Sequence, residues 1–115
     1  MSAAQARAID FHHLDAYTAG DHDLIHEVLR LFRGQVAQLI GVLAEADNAK
    51  IWKDTAHGIK GAARGIGAWE AAEAAAEVEL ANFTDASARA AALARLANAF
   101  KDVCVDIETE LAAKH

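Results

Sequence analysis

Apolar residues recur along the chain at alternating spacings of three and four, with polar residues filling the gaps. Ile25, Val28, Phe32, Val36, Leu39 and Leu43 form one such stripe, the pattern of a helix with a single buried face. It predicts a helix from an N-cap at Asp21 to about Ala46, about 39 Å long at 1.5 Å per residue. Gly34 and Gly41 fall inside it, and close packing of a neighbouring helix is the expected reason. A shorter helix is predicted from Ile9 to about Thr18, with Ile9 or Phe11, Leu14 and Tyr17 inward. Gly20 then ends it as a left-handed C-cap. The Ala-rich stretch from Met1 to about Ala8 is predicted to fray.

Asp47-Asn48 makes a turn and caps a third helix. Its inner stripe is Trp52, Ala56, Ile59, Ala63 and Ile66, and it ends around Gly65 to Gly67. A fourth helix is predicted from about Ala68 to Asn82. Two inner faces compete there, one of Ala71, Ala75 and Val78, the other of Trp69, Ala72, Ala76 and Leu80. The last helix starts at an N-cap on Thr84 and turns Leu93, Leu96, Phe100, Val103 or Cys104, Ile107 and Leu111 inward. Lys114 and His115 suit the negative end of its dipole. Four long helices with short connections predict an all-α, up-down-up-down antiparallel four-helix bundle with a short additional N-terminal helix. Residues 1–115 are expected to form one domain.

Composition narrows the choice of partners. The chain has no proline and is Ala-rich, which favours helix nearly throughout. Its formal net charge of -6 argues against nucleic acid or an anionic membrane surface, since both demand a basic face. Cys104 is the only cysteine, so no intrachain disulfide can form, and a buried thiol is expected. Neither a signal peptide nor a membrane-length apolar run of about 18 residues is visible. A soluble, cytoplasmic monomer is the expectation.

The third helix carries the candidate chemistry. At about 100° per residue, His57 points away from the apolar stripe. Gly61 and Arg64 share its outward face, and Lys60 lies on the flank. A core-filling account explains Ile59 and Ala63. It leaves Gly61 unexplained, because glycine inside a helix costs roughly 0.5–1 kcal/mol relative to alanine. A close approach of another molecule to the backbone would explain it.

The stretch from His57 to Ala68 resembles the signature of histidine-containing phosphotransfer (HPt) domains of multistep phosphorelays. That signature is a His, two residues, Lys-Gly, two small residues, then Gly-Ala or Gly-Leu, with a Glu further on. Here it is met by His57, Lys60, Gly61, Ala62, Ala63, Gly67, Ala68 and Glu79. Gly58 stands where Thr or Ser is usual. The resemblance extends upstream through Phe11, Leu14, Gly20-Asp21, Leu29, Phe32 and Leu39. It implies that His57 accepts a phosphoryl group from a phospho-Asp receiver domain and passes it to another. Receiver domains of hybrid sensor kinases and of response regulators are the implied partners.

An unperturbed histidine has a pKa of about 6.5, so a neutral imidazole is available as nucleophile near pH 7. Lys60, and Arg64 from the next turn, are candidates to offset the charge of the phosphoryl group. Gly58, Gly61 and Ala62 are candidates for the docking face. Glu79 or Asp54 would orient the ring. No metal or other cofactor is expected in this chain, since Mg²⁺ belongs to the receiver. With no ATP-binding motif, the chain is expected to carry phosphate without kinase activity.

Three alternatives stand beside this reading. His22 and His26, four apart on a helix, could hold a metal ion with Asp23 or Glu27, and His12-His13 lie nearby in sequence. A non-phosphorylated helical adaptor could bind receivers without carrying phosphate, although it would have no use for His57. A sensor-kinase dimerisation domain also displays a histidine, but typically with Glu or Asp after it and a later Pro. Here Gly58 follows, and proline is absent.

Overall fold

The structure, a computed structural model, describes residues 7–113. Its described residues form five helices and no strand: α1 (Phe11–Tyr17), α2 (His22–Ala44), α3 (Ala49–Gly65), α4 (Trp69–Leu80) and α5 (Ala86–Ala112). The expectations for Met1–Ala6 and for Lys114 and His115 lie outside the described residues.

Side chains placed one residue ahead of each helix set where most of them begin. Asp10 accepts from the His13 amide, Asp21 from Leu24, Asn48 from Ile51 and Asp85 from Ala88, all at 2.9–3.1 Å. Each such bond satisfies one amide that has no partner inside the helix. Asp85 rather than Thr84 caps α5, because the Thr84 hydroxyl is spent on the Asn82 side chain at 2.8 Å.

Packing joins α3 to α2 and α4, and α5 to α4 and α2. The core between them is built from Ile25, Leu29, Phe32, Val36 and Leu43 of α2, Trp52, Ile59 and Ala63 of α3, and Leu96, Val103 and Ile107 of α5. Val28 and Leu39 are only half-buried, and Leu29 takes a central place that the periodic stripe passes over. On α5, Val103 is the buried member and Cys104 is half-buried, with burial pushing its thiol pKa up. On α4 the face of Ala71, Ala75 and Val78 turns inward together with Ala72 and Ala74, whereas Trp69 and Leu80 are exposed.

Two further expectations are corrected. Tyr17 does not face the core but is 72% exposed. The buried edge of α1 instead runs through Leu14 and Thr18, whose hydroxyl donates to the Leu14 carbonyl at 2.8 Å. Gly34 and Gly41 are not sites of close packing, since a Cβ at either would meet nothing within 4 Å.

The N-terminal segment is tied to the turn between α3 and α4. The Asp10 amide donates to the Gly67 carbonyl at 2.8 Å, and the Trp69 indole N–H to the Asp10 carboxylate at 3.1 Å. Gly67 has φ +78°, and a Cβ there would lie 2.9 Å from the Asp10 carbonyl oxygen. Glycine is therefore required twice over at that turn. The result is that α1 is held beside the C-terminal end of α3, where Tyr17 shares a groove with Ala62, Gly65 and Ile66.

Candidate functional site

The amphipathic pattern of α3 places His57. Trp52, Ala56, Ile59 and Ala63 are at most 2% exposed and anchor one side of the helix. His57 lies on the other side, with 69% of its side chain exposed. Its Nδ1 stands 3.0 Å from Oε2 of Glu79 on α4. The second carboxylate oxygen of Glu79, Oε1, accepts from Lys60 Nζ at 2.7 Å. One carboxylate thus bridges the histidine and the lysine one turn further along.

A buried contact sets the register of that bridge. The Trp52 indole N–H donates to the Val78 carbonyl at 2.6 Å, deep between α3 and α4. Val78 is fully buried, and Glu79 is the next residue. The same helix that displays His57 therefore holds α4 where Glu79 faces the imidazole.

Electrostatics decides which nitrogen is which. The Lys60 ammonium is the leading influence on Glu79 and, with the His57 hydrogen bond, holds its carboxyl below the ordinary value of 4.5 against the opposing effect of burial. An ionised carboxylate only accepts hydrogen bonds, so Nδ1 carries the proton in this contact. The neutral ring then keeps its lone pair on Nε2, the nitrogen away from Glu79.

The other sequence candidates separate. Asp54 does not reach His57; it pairs with Lys50 at 2.5 Å on the same helix, one turn away. Arg64 is exposed, and no described acid pairs with it. Gly58 and Gly61 are exposed, and a Cβ at either meets nothing within 4 Å. Ala62 is half-buried and lines an open groove with Gly65, Val28, Leu31 and Tyr17. Leu31 is 64% exposed. The core periodicity does not single it out, although Leu24, Val28, Leu31 and Gln35 form a second stripe of α2 beside the core stripe. Among the described residues no group of three or more His, Cys, Asp and Glu could hold a metal ion.

A helical bundle with an exposed histidine that has a carboxylate and a lysine set around it has the layout of a histidine phosphotransfer protein. The Hpt domain family matches residues 27–114, and the chain belongs to that family. A crystal structure of the histidine phosphotransferase ShpA from Caulobacter crescentus matches with a TM-score of 0.67 and 34% identity. That match covers 89% of this chain and 88% of ShpA. No curated protein matches the chain. Its role is that of a phosphorelay HPt domain; such domains are phosphocarriers rather than kinases and interact with receiver domains. No described helix is long and apolar enough to cross a membrane.

The bridge itself can be tested. Lys60 and Glu79 are only 18% and 26% exposed, so their pair is more shielded than an ordinary surface ion pair. We expect Lys60→Ala to lower stability by about 1 kcal/mol, between the surface and buried limits. The sign with pH follows from Glu79, whose folded pKa is depressed. Its contribution is full above the unfolded value and is lost as pH falls through the folded one. Urea melts from neutral pH down to the acid range should therefore show a smaller acid loss in Lys60→Ala than in wild type. Equal stability at neutral pH would mean that the pair contributes nothing.

Proposed function

We propose that this chain is a phosphorelay intermediate that accepts a phosphoryl group on His57 from the phosphorylated aspartate of one receiver domain and passes it to the aspartate of another. The observation that carries this reading is an exposed His57 whose Nδ1 is engaged by an ionised carboxylate. The Nε2 lone pair attacks the phosphorus of the aspartyl phosphate in line. The N–P bond forms as the P–O bond to aspartate breaks, and the carboxylate leaves with the electron pair. The Nδ1 proton stays on the ring, and the positive charge that develops there is met by Glu79. Because the transition state is loose, orientation and charge supply most of what the protein must provide.

Lys60, 2.7 Å from Glu79, sits one turn from the histidine and offsets the added phosphoryl charge, with Arg64 assisting. The receiver brings its own carboxylates and Mg²⁺. Its docking face on this chain is Gly58, Gly61 and Ala62, extended by the groove at Tyr17 and Leu31. The framework is one domain, with α2 to α5 running up-down-up-down. Support for this comes from connections of a few residues and from packing that closes α2, α3, α4 and α5 into a ring. The protein acts as a cytoplasmic monomer.

The test is a two-step relay. A receiver carrying labelled phosphate is mixed with the chain, and an unlabelled second receiver is then added. Label should pass to the chain and leave it on the second addition. Label that never reaches the chain from any receiver would refute the reading. Gly61→Gln probes the docking face in the same assay. Open space around Gly61 predicts that the variant is at least as stable as wild type, since glycine is the poorer helix former by up to about 1 kcal/mol. A long side chain one turn beyond His57 obstructs the partner, so transfer should slow by about tenfold or more. Wild-type transfer rates would remove Gly61 from the interface.

A further inference from the structure

The charge of this acidic chain is unevenly placed. α3 carries Lys50, Lys53, Lys60 and Arg64 against the single acid Asp54, a net +3, so the rest of a chain totalling -6 carries -9. The adjoining α4 holds Glu70, Glu73, Glu77 and Glu79 and no basic residue. Two of the α3 cations are engaged, Lys50 by Asp54 and Lys60 by Glu79. The other two, Lys53 and Arg64, are exposed, and neither pairs with a described acid.

We propose that Lys53 and Arg64 are docking cations that orient the acidic face of a receiver domain over His57, an inference that rests on the relay reading. At about 100° per residue both project within about 40° of the His57 direction. Eleven positions separate them, about 16 Å along the axis, with His57 and the bare backbone of Gly61 between. The nucleophile thus lies in a saddle with a cation at each end. A receiver gathers carboxylates around its phosphorylated aspartate, because they hold its divalent cation. Of the five helices α3 alone carries a net positive charge, so such a face is drawn to it. Complementary charges of this kind raise the association rate and select orientation more than they deepen affinity. The neighbouring groove at Tyr17, Leu31 and Ala62 supplies apolar contact once the partner is aligned.

The experiment compares wild type, Lys53→Glu and Lys101→Glu. Lys101 is exposed on α5, whose main neighbours are α2 and α4, so its reversal changes the net charge equally but elsewhere. The donor is an isolated receiver domain phosphorylated on aspartate with acetyl phosphate and Mg²⁺. Initial transfer rates are read below saturation, from roughly 20 to roughly 500 mM NaCl, a range that spans weak to strong screening. The rate for Lys53→Glu should fall about three- to tenfold at low salt and converge on wild type at high salt, while Lys101→Glu stays within about twofold. Direct labelling of His57 by phosphoramidate, a donor that needs no docking, should be equal in all three. Wild-type rates in Lys53→Glu at low salt would overturn the inference and leave the relay reading standing. Equal slowing in Lys101→Glu would overturn it in favour of overall charge. Slower phosphoramidate labelling in Lys53→Glu would overturn it by placing Lys53 in the chemistry. No transfer from any receiver would overturn the relay reading and this inference with it.

Discussion

His57→Gln should take up no phosphate from a phosphorylated receiver, while wild type acquires a label that is lost in acid and survives in base. The expected loss is complete because the amide of glutamine has no basic lone pair to attack phosphorus. The phosphoramidate bond is acid-labile, which separates it from a serine or threonine ester. The side chain is 69% exposed and contributes nothing to the core, so the variant should fold. Its cost in stability should stay within about 0.5 kcal/mol, the usual range for surface changes. A thermal melt beside the labelling assay distinguishes loss of the nucleophile from loss of the fold. Label in His57→Gln at the wild-type level would transfer the acceptor role to another residue.

Trp52 should prove the most sensitive position behind the site. The ring is 2% exposed, packs against Phe83 with centroids 6.1 Å apart, and donates to the Val78 carbonyl. Truncation to alanine empties the space between α3 and α4 and should cost about 3–5 kcal/mol. That is a large share of a typical total of about 5–15 kcal/mol. Trp52→Phe is the sharper probe. It keeps most of the volume but removes the indole N–H, which leaves the buried Val78 carbonyl only the Ala81 amide at 3.2 Å. The expected cost is about 1–3 kcal/mol. Glu79 follows Val78 directly, so loosening this contact should also weaken the preference for a proton on Nδ1 of His57. Urea melts measure the first effect, and nitrogen chemical shifts of the His57 ring measure the second. An unchanged midpoint in Trp52→Phe would show that the indole hydrogen bond adds no net stability.

The features legible in the amino-acid order share one physical basis. Helix formation and burial leave a period of about 3.6 residues, so the stripe through Trp52, Ala56, Ile59 and Ala63 fixes the direction of His57. The caps at Asp21 and Asn48 are legible because their bonds span three residues. Thr84 and Asp85 show the limit of such local reasoning. Both can cap a helix, and the choice falls to Asp85 because Asn82 engages the threonine hydroxyl.

The tertiary structure decided what depends on contacts between helices. Both Glu79 and Asp54 are possible partners of His57 from sequence. The buried Trp52–Val78 contact aligns α4 so that Glu79 faces the ring, and Asp54 is left to Lys50 on its own helix. Tyr17 reads as a core residue because it is aromatic and roughly periodic. Its exposure follows from the attachment of the Asp10 backbone to Gly67, which rolls α1 so that Leu14 and Thr18 meet the bundle. Lys60 reads as a cation on the flank of the His57 face; only the structure shows it half-buried and held by a carboxylate nineteen positions away. Sequence alone determined which helix bears His57 and which way it points, because helical periodicity is local. Only the packing of α4 on α3 decided which carboxylate engages its imidazole, because a contact between helices has no period for a single sequence to display.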